Sequence, residues 1–274
     1  MTWLTDFGRV VLEASRNRGG GHRPTPSPDT RSDVDPGSLG ELFPGGVRID
    51  DPDAGRVEGR AALEAYGASS AMWLRERSAS TAAIATTHGN ARSVGEFDLS
   101  LAVDGTSLVL PVASVVEPDA ERRAVWIRIY HSQWPLLGHH VLRPPLLARD
   151  PVVHESDIVG EYQAALAAGD AARITATFEP DGCFREPAGP QFRVCGTTTL
   201  LGFFGRFFSA GGGILLEHCT VTEDGVRTAL EFNAVRWGET TLSPQAGVAV
   251  YERGATGRIR EARIYDDVEG PVEG

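Results

Sequence analysis

The sequence predicts an α+β chain made of two tandem copies of one unit, and three observations carry that prediction. The first is a repeated segment: Phe43 to Pro52 reads FPGGVRIDDP and Phe178 to Pro187 reads FEPDGCFREP, an offset of 135 residues (178 − 43). The second is that the same offset recurs, placing Glu96-Phe97 on Glu231-Phe232, Glu117 on Glu252 and Arg128-Ile129-Tyr130 on Arg263-Ile264-Tyr265. Two extra residues before Gly196 move Gly59 and Leu63 onto Gly196 and Leu200. The third is that helical periodicity comes first in each copy and strand-like alternation after it, the layout of an α+β unit. A chain of 274 residues accommodates two domains of this size, and the period is too long for a solenoid.

In the second copy, Ile158, Val159, Tyr162, Ala165 and Leu166 fall at helical spacing between Ser156 and Ala168. Gly169-Asp170 ends that helix and caps the next, over 171–178. A brief strand from Cys183 to Glu186 stops at Pro187, and a third helix follows with a stripe of Leu200, Leu201, Phe203, Phe204, Phe207 and Phe208. Four strand-like stretches, 214–222, 227–237, 241–252 and 258–268, are joined by short turns such as Glu223-Asp224-Gly225. The first copy repeats this order with strands near 80–87, 92–103, 107–117 and 123–131, preceded by a helix over 3–15. A Gly/Pro/Ser/Asp-rich stretch, Gly19 to Pro36, is expected to be mobile. The boundaries read as one domain over 1–131, a packed Pro- and Leu-rich linker over 132–153, and a second domain over 154–274.

Composition narrows the function. A net charge of −11 with no basic cluster argues against nucleic acid as a partner. The N-terminal apolar stretch carries Asp6 and Arg9, and no run is long enough to span a membrane, so the expected location is the cytoplasm. Cys183, Cys195 and Cys219 match neither a zinc nor a redox spacing, and buried free thiols are expected. His139-His140 has no accompanying carboxylate pattern, so no metal is expected; the two Gly-rich runs lack the strand–helix context of a phosphate loop, and no Gly-x-Ser-x-Gly elbow occurs.

With the elements in place, Glu161 to Asp170 (EYQAALAAGD) and Glu186-Pro187-Ala188-Gly189 resemble the first helix and the acid-Pro-x-Gly segment of the SnoaL-like and ketosteroid-isomerase-like branch of the nuclear-transport-factor-2-like superfamily. The resemblance covers nearly all of the second copy and, more weakly, residues 35–131, where Asp51-Pro52 is retained. It implies cone-shaped domains, three helices packed on a curved antiparallel sheet, and an intramolecular pseudo-dimer packed sheet to sheet, as a monomer or a homodimer. It also implies that Glu186 is the general base and Tyr162 an oxyanion donor. Two departures stand out. The family's second acid would fall near Gly247 (Val112 in the first copy), so no carboxylic acid donor is expected there, and Phe7 is the nearest match to the Tyr in the first copy.

The residues support this chemistry on their own terms. A carboxylate at a strand end, facing Phe203, Phe207 and Phe232, is partly desolvated and shifted toward the range useful for proton transfer. His218 and Asp266 are further ligand-facing candidates, and Asp51 is the acid of the first copy. Against this stand plainer roles: Tyr162 as a core residue with a wet tip, and Glu186 as an edge carboxylate paired with Arg185 or Arg193. The expected function is cofactor-free acid/base catalysis (isomerisation, cyclisation, epoxide opening or dehydration) on a small apolar polyketide-, steroid- or terpenoid-like molecule. The alternative is a non-catalytic binding or assembly module.

Overall fold

The computed structural model describes residues 39, 41–155 and 157–270; the expected helix over 3–15, Phe7 and the Gly19–Pro36 stretch lie outside them. The chain divides into two compact units, 1–129 and 130–274. The described part of the first unit contains β1 (Gly46–Asp51), β2 (Gly55–Glu58), α1 (Arg60–Glu76), β3 (Ser80–His88), β4 (Ser93–Val103), β5 (Thr106–Pro118) and β6 (Ala124–Tyr130). Then follow α2 (Trp134–Leu137), α3 (Ile158–Ala168), α4 (Ala171–Ala176), β7 (Phe178–Arg185), β8 (Arg193–Cys195), α5 (Thr197–Phe207), β9 (Ile214–Glu223), β10 (Arg227–Trp237), β11 (Thr240–Arg253) and β12 (Ile259–Asp266).

The two sheets have the same plan, β2-β1-β6-β5-β4-β3 and β8-β7-β12-β11-β10-β9. This is the tandem α+β architecture the repeat predicts. Each sheet is mixed where an antiparallel one was expected, because β1 pairs in parallel with β6, and β7 with β12. A helix lies between the short first strand and the rest of the sheet, and that crossover brings the last strand back alongside the first in the same direction.

Local chemistry fixes the helices of the second unit. Asp157 accepts the Val159 N–H at 2.9 Å and caps α3, and Asp170 accepts the Arg173 N–H at 2.9 Å and caps α4. Between them Gly169 takes the left-handed conformation (φ 67°), and a Cβ there would lie 2.1 Å from the Gly212 carbonyl oxygen, so only glycine fits. The helices cover the concave face of the sheet, where Val159, Tyr162, Leu200, Phe204, Leu230, Phe232, Ala249 and Tyr251 form the core.

The cysteine expectation is corrected. Cys183 and Cys195 form a disulfide. The β7–β8 register puts them directly opposite one another, a proximity that their separation in sequence conceals. Cys219 remains a buried thiol, 3.8 Å from the Leu147 carbonyl oxygen.

Candidate functional site

Strand alternation sorts the residues of the second unit between the two faces of the sheet. On β7, Phe184 points into the core while Arg185 points the other way and donates to the Tyr265 hydroxyl at 2.7 Å. Glu186, the next residue, lies just past the end of β7. Arg193 is occupied by Glu261 at 2.7 Å. Neither arginine therefore neutralises Glu186, and the edge ion pair is not formed. Half-buried, Glu186 has no side-chain hydrogen bond among the described residues, and burial pushes its carboxyl above the ordinary range.

Asp266, one of the ligand-facing candidates named from the sequence, stands beside the position at which no second acid was expected. Gly247 sits where a second acid was sought, and its direct cross-strand partner on β12 is Asp266. The vacancy at Gly247 is occupied from both sides, since a Cβ there would lie 2.6 Å from Cζ of Phe232 and 2.7 Å from Cβ of Asp266. Phe232 thus crosses the glycine and lies against the acid. Burial raises the Asp266 carboxyl to about 7, with the charges of Asp267 and Glu186 adding to the rise and a Val268 backbone hydrogen bond and His140 opposing it. The Glu186 charge is the smallest of these influences on Asp266, and burial alone accounts for the rise of Glu186.

Tyr162 is 1% exposed, so it is not a core residue with a wet tip. Its ring packs on Phe178 at 5.9 Å and Tyr251 at 5.2 Å, and burial drives its hydroxyl well above the ordinary tyrosine range. The hydroxyl within electrostatic reach of Asp266 is that of Tyr251. Gln163 donates to Tyr251 Oη at 2.6 Å, and its carbonyl oxygen lies 3.4 Å from Nε2 of His218. Burial holds His218 below the ordinary histidine value, toward the neutral form. Tyr251 and Gln163 escaped the sequence reading; the available signal was the alternation of β11, which puts Tyr251 on the same face as Gly247.

The aromatic row is graded. Phe203 packs on Phe184 at 5.5 Å and Phe232 is buried, whereas Phe207 stacks on Phe203 but is 36% exposed, against Trp237.

The first unit is built differently. Asp51 accepts the Asp53 and Ala54 N–H groups at 2.8 and 2.9 Å on one oxygen and the Tyr66 hydroxyl at 2.8 Å on the other. Its carboxylate therefore closes the β1–β2 turn and holds α1. Tyr66 aligns with Phe203 of the second copy, so the two acids have exchanged a hydroxyl neighbour for an aromatic one. An open groove of about 710 Å³ in this unit is lined by Phe43, Arg48, Glu58, Leu63 and Trp126 and does not reach Asp51. Among the described residues no three His, Cys, Asp or Glu side chains converge as a metal site, and no helix is long and apolar enough to cross a membrane.

Comparison with curated proteins found no match. Among solved structures, the chain is similar to a provisionally assigned polyketide cyclase from Sinorhizobium meliloti, at 22% identity over 39% of this chain and 92% of that one, with a TM-score of 0.33. It is also similar to a protein with a ketosteroid isomerase-like fold from Catenulispora acidiphila, solved with trimethylamine, at 16% identity over 41% and 87% of the two chains and a TM-score of 0.35. A third is SalBIII, described as an epoxide hydrolase/cyclase-like enzyme in pyran ring formation in the polyether salinomycin, at 19% identity over 40% and 87% and a TM-score of 0.34. The SnoaL-like domain family matches residues 159–262, which run from α3 to β12. Within the second unit, residues 159–262 are thus similar to the SnoaL-like domain family.

Proposed function

We propose that the second unit is a cofactor-free acid/base enzyme acting on a small, largely apolar molecule of polyketide, steroid or terpenoid type, with the chemistry carried by Glu186 and Asp266. The observation that supports this most is the pair itself: a half-buried carboxylate with no side-chain partner among the described residues, beside an enclosed acid titrating near 7, on a face walled by Phe184, Phe203 and Phe232. Aromatic walls favour an apolar ligand and leave orientation to the few polar groups.

In this reading the Glu186 carboxylate takes a proton from a carbon next to a carbonyl, or its acid form gives one to an epoxide or hydroxyl oxygen. Neutral Asp266 meanwhile donates a hydrogen bond to the oxygen on which negative charge grows. In an isomerisation the proton returns to another carbon and nothing is consumed. Tyr251, backed by Gln163 and Tyr162, keeps the far side of Asp266 free of bulk water. The first unit serves as a non-catalytic partner, because both oxygens of Asp51 are already engaged in holding the fold.

The test is Glu186→Gln, assayed on the best substrate from a panel of unsaturated ketones and epoxides. A loss of about 100-fold or more in turnover is expected with folding intact. Turnover within a few-fold of wild type would exclude Glu186 as the proton carrier.

A further inference from the structure

The two carboxyls come from different strands, and neither belongs to the segment that joins the units. That segment nevertheless touches the support of both. Asp267, the residue after Asp266, is 4% exposed and accepts three hydrogen bonds from the segment: Ser132 Oγ at 2.6 Å, His140 Nδ1 at 2.8 Å and the Val141 N–H at 2.6 Å. A buried carboxylate is costly unless its lone pairs are met, and here they are met entirely from residues 132–141. Ser132 Oγ in turn accepts the Trp134 N–H at 3.1 Å and starts α2, which closes on Gly138 in the left-handed conformation. From α2, the Trp134 ring stands edge-on to Phe192 with 6.0 Å between centroids. The Phe192 carbonyl oxygen accepts the Glu186 N–H at 3.3 Å.

We propose that residues 132–141, anchored by Asp267, form a strap that sets the position of Glu186 relative to Asp266, with Asp267 and Trp134 as its positioning residues. The proposal rests on reading Glu186 and Asp266 as the working pair. One clamp holds the residue following Asp266; the other braces the loop bearing Glu186. Loosening either clamp lets the carboxyls separate and admits water between them, and both effects return an acid toward its ordinary range. The charged and titratable groups facing Asp266 are Asp267, His140, Glu186 and Tyr251, and β10 presents the Phe232 ring.

The experiment is a carbon-13 NMR titration of the aspartate and glutamate carboxyls in the full chain, which requires no substrate. In Asp267→Asn, the amide must turn an NH2 toward a strap donor and a like charge is lost, so the Asp266 midpoint is expected to fall by at least about half a pH unit. In Trp134→Ala, which removes a side chain already 38% exposed, the fold is expected to persist while the Glu186 midpoint falls and its amide exchanges faster. A purely structural strap would lower the melting temperature and leave the Glu186 midpoint of Trp134→Ala in place, whereas loss of the Asp267 charge moves the Asp266 midpoint of Asp267→Asn in either case. Unchanged midpoints in the folded Trp134→Ala protein overturn the proposal, even if Asp267→Asn fails to fold. Failure of the catalytic reading is distinguishable: Glu186→Gln would keep full turnover while the midpoint shifts of the strap variants stand.

Discussion

Replacing Asp266 by Asn should flatten the dependence of stability on pH. The folded carboxyl is raised from an ordinary 3.8 to about 7, so folding favours its neutral form. Its contribution is therefore fully present below about 4 and is lost as pH rises through 7. A difference of about 3 pH units at about 1.4 kcal/mol each sets a ceiling of about 4 kcal/mol. Protein atoms surround Asp266, yet part of its surface can still be reached by water, and this solvation halves the figure to about 2 kcal/mol. Of that, about 1 to 2 kcal/mol falls between pH 5 and pH 8. Urea unfolding of both proteins at those two values measures it: the wild type should lose that much more stability than Asp266→Asn on going to pH 8. Parallel losses in the two proteins would mean that Asp266 titrates as an ordinary surface acid, and the case for a neutral donor would fail with it.

Two further expectations concern the frame around the pair. Reducing the Cys183–Cys195 disulfide, which spans 12 residues, should destabilise the second unit by about 3 kcal/mol, read as a shift in the urea midpoint with and without reductant and absent in Cys183→Ser/Cys195→Ser. Gly247→Ala should cost about 1–3 kcal/mol, because its Cβ meets the Phe232 ring and the Asp266 Cβ at distances the core can only relieve by moving one of them. A neutral Gly247→Ala in the same unfolding assay would show that Phe232 does not lie across the strand.

What the sequence disclosed and what it hid follow from the range of the interactions involved. The duplication, the cap at Asp170 and the order of helices and strands are local or repeated patterns, and they could be read along the chain. Parallel pairing of β7 with β12 is non-local, and nothing within either segment announces it. The same is true of the disulfide, which exists because of a hairpin register, and of the pairing that sets Asp266, itself a candidate from the sequence, opposite Gly247. Glu186 was legible from its Pro-Gly context; that Arg185 turns to the opposite face and Arg193 to Glu261 depended on strand alternation and on a neighbour 68 residues away in sequence. Asp51 shows the converse: the same local motif yields a turn cap once a tyrosine stands over it.

The parallel closure of β7 on β12 also has a bearing on how the chain folds. Glu186 and Asp266 are 80 residues apart in sequence (266 − 186), with the helix α5 and the four strands β8 to β11 between them. Contacts of such long range carry the largest loop-closure entropy and form late. A nascent chain that ends before β12 lacks the pair altogether, and the acquisition of a carboxyl titrating near 7 becomes a marker for the last step of folding in the second unit.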